Sequence, residues 1–120
     1  MLEEQDVKSL LKSIKKTDSK LSYIEAKIER KGIDHLSISE LNYIRELNKL
    51  PKLSITKLRD LLYENYISYS DVKRETNISR SMLCMILREN RNCTIAKLKL
   101  IMNMINNRNN NITLKDILEG

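Results

Sequence analysis

Hydrophobic residues recur at helical spacing along most of the chain, and no segment alternates apolar and polar residues as a β-strand does. Only two glycines and one proline interrupt the 120 residues. Leu, Ile, Lys, Glu and Asn dominate, and several of these are good helix formers. The pattern therefore predicts an all-α protein with short polar turns. Its core must be aliphatic, because the chain has no Trp and no Phe.

The segment before Gly32 carries apolar residues at every third or fourth position, the spacing of a coiled-coil seam. One interpretation is a two-stranded coil between subunits. The other is a helical hairpin within one subunit, with helices near residues 3–16 and 19–31, because Asp18 or Ser19 can cap a second helix. Both interpretations end at Gly32, a favourable C-cap residue. In the first, the dimer contact consists of Val7, Leu10, Ile14, Leu21, Ile24 and Ile28.

A helix start is marked at Ser37, which is followed three residues later by Glu40. This is the sequence of a capping box, in which each side chain accepts a hydrogen bond from the other residue's N–H. We expect the helix to continue until Pro51, which lacks the N–H that a helix interior needs. Pro51 then lies at the joint between an N-terminal helical module for dimerisation or protein interaction, residues 1–50, and a second domain, residues 54–120.

Five short helices are predicted in this second domain. Ser68 and Asp71 form a capping box at the start of the second of them, and Thr113 with Asp116 caps the last. Tyrosines occupy every third position over residues 63–69. We expect at least one of these rings to lie in the core with its hydroxyl at the surface.

Positive charge is concentrated in the same half of the chain. The protein carries a net charge of +6 and has a pI near 9.4. Residues 73–99 hold seven basic residues and only two acidic ones. Such a balance favours association with a polyanion, although it says nothing about the fold.

The usual catalytic and metal-binding constellations are not present in the sequence. His35 is the single histidine, and Cys84 and Cys93 are the only cysteines, whereas a structural zinc site normally needs four such ligands. We expect no metal, no cofactor and no enzymatic activity, because a Gly-rich phosphate loop and clustered carboxylates are also missing. The N-terminus does not have the pattern of a signal peptide, and the longest apolar runs are too short for a membrane span. These features predict a cytoplasmic protein.

Residues 68–90 contain two short helical segments with a turn at Asn77, a residue that tolerates the left-handed backbone conformation. In a helix-turn-helix, the second helix places its N-terminal residues in the major groove of DNA. Arg80 and Ser81 are polar residues at the start of an otherwise apolar helix, which is the corresponding place. The outward positions that we predict to contact base edges are Ser79, Arg80, Ser81, Cys84, Met85 and Arg88.

The stretch "DVKRETNISRSMLCMILRENRNCTIAKLKLIMNMI" follows a known rhythm of helix, "-G-[VI]-S-[RQ]-[ST]-", helix, "-x-R-N-P-[ST]-[LI]-", helix. On these residues, positions 54–119 resemble the Cro/phage-repressor type of helix-turn-helix domain, also called the XRE family, a five-helix DNA-binding fold. The resemblance implies a sequence-specific regulator of a phage, plasmid or other bacterial mobile element, usually a homodimeric repressor on an inverted-repeat duplex operator. Asn77 replaces the family's turn glycine, Lys73 a small residue and Tyr69 a glutamine.

Helix N-termini and nearby cations supply the predicted phosphate contacts, because free N–H groups and positive dipole ends attract anions. These residues are Tyr69, Ser70, Arg91, Asn92, Thr94 and Lys97. A second hypothesis keeps the fold but assigns another function, namely an antirepressor, antitoxin or inhibitor that binds a protein partner through the N-terminal helices. Salt-dependent binding to duplex DNA distinguishes the two hypotheses.

Overall fold

The fold is all-helical, as the sequence predicted. The computed structural model describes residues 4–14, 18–88, 93–108 and 110–119. Within these ranges there are seven α-helices, two short 3₁₀ helices at Ile33–His35 and Leu114–Ile117, and no β-sheet. In chain order the α-helices are α1 (Glu4–Lys12), α2 (Ser19–Lys31), α3 (Ile38–Leu47), α4 (Ile55–Glu64), α5 (Tyr69–Thr76), α6 (Arg80–Leu87) and α7 (Ile95–Asn106).

The N-terminal segment forms two separate helices. The Asp18 carboxylate accepts a 2.7 Å hydrogen bond from the Leu21 N–H and so caps α2. The first helix, α1, is shorter than predicted and lies against the end of α3, where the Asn48 side-chain amide donates to the Leu10 carbonyl at 3.2 Å. A coiled coil through this region requires one continuous helix, so the structure has the two helices of the hairpin interpretation instead.

The residues assigned to an intersubunit seam are buried or half-buried within a single chain. Leu10 and Ile14 pack partly buried against the core. The remaining four are each no more than 5% exposed: Val7, Leu21, Ile24 and Ile28. The folded chain already covers this apolar stripe, so its sequence pattern is explained without a second copy. The six residues are therefore reassigned to the core, and a homodimer remains a prediction that would need other residues at its contact.

One hydrophobic core joins the N-terminal helices to the rest of the protein. Leu36 and Ile38, from the N-terminal half, and Ile95, from α7, are buried in the same cluster. The backbones also pair, because the Ile38 N–H donates to the Cys93 carbonyl and the Ile95 N–H to the Leu36 carbonyl, each at 2.8 Å. The predicted boundary near Pro51 is therefore not a gap in the core, and function is best tested on the full chain.

The predicted helix start at Ser37 is confirmed, and the last predicted helix differs. Both bonds of the capping box form, from the Ser37 N–H to Glu40 Oε1 at 2.9 Å and from the Glu40 N–H to Ser37 Oγ at 3.1 Å. Near the C-terminus, Thr113 donates its N–H to Asp116 at 2.7 Å, but the segment that follows is a short 3₁₀ helix.

The end of α3 corrects the expected role of Pro51. The helix stops at Leu47, where Lys49 adopts a left-handed φ of 57°. The Leu50 N–H then donates to the Arg45 carbonyl at 2.9 Å, the bond pattern of a Schellman motif. The backbone therefore leaves the helix before it reaches the proline.

Candidate nucleic-acid interface

The candidate interface is built on α5, α6 and the three residues between them. Asn77 has φ 62° and ψ 16°, the left-handed conformation that the sequence predicted. The Thr76 hydroxyl accepts a 3.2 Å bond from the Ile78 N–H and supports the turn. Val72, Ile78 and Leu83 are buried, as expected for the side that attaches the two helices to the core. The turn therefore has the local structure that a helix-turn-helix requires.

The predicted base-contacting residues lie on one side of α6. Ser79 caps this helix, since its hydroxyl accepts a 3.1 Å bond from the Met82 N–H. The helical residues of the set span about 140° of the helix circumference, at about 100° per residue, and Leu83 and Ile86 point into the core. Five members of the set are exposed, namely Ser79, Arg80, Ser81, Met85 (40% exposed) and Arg88, and Cys84 is half-buried.

Internal ion pairs engage two of the cations in this region. Arg74 contacts Asp71 at 2.7 Å, and Lys99 contacts Asp34 at 2.7 Å. The other basic residues that the structure describes between positions 73 and 99 make no ion pair with described carboxylates. They are Lys73, Arg80, Arg88 and Lys97.

The N-terminus of α5 is open to solvent. Tyr69 and Ser70, both predicted to contact phosphate, are exposed in its first turn. Asp71 lies in the same turn, and bonds from the Ser68 backbone, the Ser68 side chain and Arg74 hold its pKa below the ordinary value. This carboxylate reduces the attraction of the helix end for an anion. The predicted phosphate contacts at positions 91 and 92, Arg91 and Asn92, lie outside the described residues.

The N-terminus of α7 is partly occupied by the protein itself. The Thr94 hydroxyl accepts a 3.3 Å bond from the Lys97 N–H, and the Ile95 N–H donates to the Leu36 carbonyl. Thr94 and Lys97 are half-buried. Burial also raises the pKa of the neighbouring Cys93 thiol to about 11, although the positive charge of Lys97 acts in the opposite direction. This helix end therefore offers a phosphate fewer free donors than the sequence pattern suggested.

The side chains of Arg80 and Tyr69 contact each other across the two helices. The guanidinium carbon of Arg80 lies 5.2 Å from the centre of the Tyr69 ring. This distance is within the range of a cation–π interaction. Tyr69 is 41% exposed, so the pair is accessible at the surface beside the turn.

The expectation of a tyrosine ring in the core is wrong. Tyr63 is 84% exposed and Tyr66 is 93% exposed, in addition to the partly exposed Tyr69. Tyr66 follows the end of α4 with a left-handed φ of 55°. The exposure of Tyr63 could have been predicted from Leu58 and Leu62, because their spacing already defines the inward face of α4 and leaves Tyr63 beside it.

Two of these rings, those of Tyr63 and Tyr69, border a groove that the sequence pattern did not reveal. A groove of about 280 Å³ lies between α4 and α6, with Tyr63 and Tyr69 among its lining residues. Leu83 and Leu87 also line it, so its surface is mainly apolar. The Arg59 guanidinium donates to the Leu87 carbonyl and thereby ties the two helices together.

The protein is all-helical, and the start of α6 presents polar and cationic side chains at its surface. Among the described residues, no group of three or more His, Cys, Asp and Glu side chains could hold a metal ion. None of the described helices has both the length and the apolar character that crossing a bilayer requires. Comparisons with protein-family models, with curated proteins and with solved structures found no match.

Proposed function

We propose that the protein is a sequence-specific DNA-binding transcriptional regulator, acting as a dimeric repressor whose α6 enters the major groove. The observation that carries this proposal is the arrangement of α5, the left-handed turn at Asn77 and α6, with Arg80 and Ser81 exposed at the start of α6. The major groove is about 12 Å wide and admits an α-helix, and arginine is the commonest side chain that contacts guanine there.

The charge distribution supports a nucleic-acid partner. Arg80 and Arg88 lie at the two ends of α6 and are exposed, and Lys73 is exposed on the neighbouring α5. The net charge of +6 favours encounter with a polyanion at low salt. The resemblance of residues 54–119 to the Cro/phage-repressor type adds the expectation of an inverted-repeat operator and a dimer.

The experiment is a selection of bound sequences from random duplexes by the full-length chain, followed by titrations at several salt concentrations. We expect an enriched inverted repeat with half-sites about one helical turn apart. The slope of log K against log salt should be about −0.9 per phosphate contact. Sedimentation with and without the selected duplex then gives the number of chains bound.

Matched charge variants show whether the binding is local to this face. Lys97→Ala should lower the magnitude of the salt slope by about one unit and weaken binding to all duplexes alike. Arg30→Ala removes the same charge from α2, a helix that carries none of the proposed contact residues, and should leave both quantities unchanged. The proposal fails if the wild-type protein shows no salt-dependent binding to duplex DNA.

A protein-interaction function is the second candidate, and the exposed tyrosines favour it. Tyr63 lines an apolar groove, Tyr66 is exposed three residues further along the chain, and tyrosine is enriched in protein interfaces. The N-terminal helices, by contrast, direct most of their apolar side chains into the core. This function predicts that a Tyr63→Ser/Tyr66→Ser variant loses partner binding but not helical structure, in a protein that does not bind DNA.

A further inference from the structure

We propose that Tyr69 is a positioning residue for Arg80, whose guanidinium it holds over its ring in the orientation that meets a base edge. This inference rests on the proposed function and replaces the expected role of Tyr69 as a phosphate contact. The observation behind it is the 5.2 Å separation between the Arg80 guanidinium carbon and the centre of the Tyr69 ring.

The backbone of each partner is held by helix capping. Tyr69 is the first residue of α5, where the Ser68 hydroxyl accepts from the Asp71 N–H at 3.2 Å and Asp71 Oδ2 accepts from the Ser68 N–H at 3.0 Å. Arg80 is the first residue of α6, directly after the capping residue Ser79. The two side chains therefore start from fixed points, and their contact is set by the geometry of the turn between the helices.

The contact leaves the hydrogen-bonding edge of Arg80 available. A guanidinium that stacks on a ring through its planar face keeps its N–H donors pointing outward in the plane, and we infer this arrangement for Arg80. Those donors are the groups that bind guanine O6 and N7 in parallel. Among the described residues, no carboxylate forms an ion pair with Arg80 that would compete for them.

Holding the side chain in advance reduces the entropy lost on binding. A free arginine side chain loses rotamer entropy when it is fixed, and preorganisation removes part of that cost. An exposed cation–π contact is worth enough to change affinity by about two- to fivefold. In a dimer each half-site contributes this factor once, so the affinity changes by about four- to twenty-five-fold in total.

The test is a double-mutant cycle on the full-length chain, with affinities measured on the selected duplex. Tyr69→Leu removes the ring, Tyr69→Phe keeps the ring but removes the hydroxyl, and each is made with Arg80 intact and with Arg80→Ala. Tyr23→Leu, at an exposed ring of α2, is the matched control and should leave the affinity unchanged. Circular dichroism of every variant establishes that the helices are retained.

We expect Tyr69→Leu to lower the affinity for the selected duplex by about two- to fivefold per half-site. Tyr69→Phe should keep the wild-type affinity. In the Arg80→Ala background, Tyr69→Leu should cause no further loss of affinity. Equal losses for the Leu and Phe variants would show a hydroxyl contact and overturn the inference. A loss that persists without Arg80, or no loss at all, would also overturn it.

A measurement without DNA separates this inference from the proposed function. The ring current of Tyr69 should shift the Arg80 side-chain proton resonances upfield, and the shift should disappear in Tyr69→Leu but persist in Tyr69→Phe. An unshifted Arg80 in the free protein overturns the preorganisation. A shifted Arg80 in a protein that binds no duplex leaves the contact intact and instead refutes the DNA-binding function, and with it the role assigned to the contact.

Discussion

Replacement of Leu36 by alanine tests whether the two halves of the chain fold as one unit. Leu36 is fully buried, and its carbonyl accepts the bond from Ile95 at the start of α7. The substitution keeps this backbone bond and removes only the side chain beyond Cβ. Loss of three carbons costs about 2.4 kcal/mol in transfer free energy, and the cavity that remains raises the total to about 3 kcal/mol.

The expected result is a single unfolding transition with a lowered midpoint. For a chain of this size, about 3 kcal/mol corresponds to a drop of about 12 °C. Leu100→Ala on α7 is the control, because Leu100 is 44% exposed and its truncation should cost less than about 1 kcal/mol. Far-UV circular dichroism follows the transition, and hydrogen exchange of backbone amides reports each helix separately.

Hydrogen exchange distinguishes one shared core from two independently folded halves. If the halves share a core, amides of α2 and α7 lose protection together in Leu36→Ala. Two resolved transitions, or a loss of protection confined to α2 and α3, would show that residues 54–120 are stable without the N-terminal helices. The shared core would then be a docking contact between two independently folded domains.

Two further predictions concern the turn and a salt bridge. Asn77→Ala should destabilise the protein by about 1 kcal/mol in denaturant titrations, because Ala is strained at a positive φ, whereas Asn107→Ala, at φ −65°, should have little effect. The bond from Arg108 holds the pKa of the Glu75 carboxyl below its ordinary value. The stabilisation lost in Arg108→Gln should therefore be full at neutral pH and should shrink as the pH falls through the lowered pKa of Glu75. The measurement is the melting temperature of the wild type and of Arg108→Gln over a range of pH. A difference between them that does not depend on pH would contradict the ion pair between Arg108 and Glu75.

Features that depend on a few neighbouring residues could be predicted from the sequence. The capping boxes at Ser37 and Ser68 and the left-handed turn at Asn77 are all present in the structure. In the capping boxes a side chain satisfies a backbone group three residues away, and at Asn77 the residue itself tolerates the left-handed backbone, so the local sequence determines the outcome. The candidate interface depends on the same local signals, which place Arg80 and Ser81 at the start of α6.

Features that depend on distant packing could not be predicted. A stripe such as Ile24 and Ile28 shows that one face of α2 is buried, but not whether a second subunit or the same chain covers it. Lys49 and Tyr66 adopt positive φ at helix ends without being glycine, which no residue preference indicates. The same backbone conformation explains why Tyr66 lies outside the core.

The affinity of Arg80→Ala for selected and random duplexes tests the central claim, that α6 contacts base edges, most directly. The full-length wild type, Arg80→Ala and the charge-matched control Arg30→Ala are each titrated at one fixed salt concentration. Arg80→Ala should lose about 1–3 kcal/mol of binding free energy on the selected duplex and much less on random DNA, with relaxed discrimination at one position in each half-site. The control should match the wild type on both. Equal losses on both duplexes would make Arg80 a phosphate contact, and no loss on either would contradict its place at the interface.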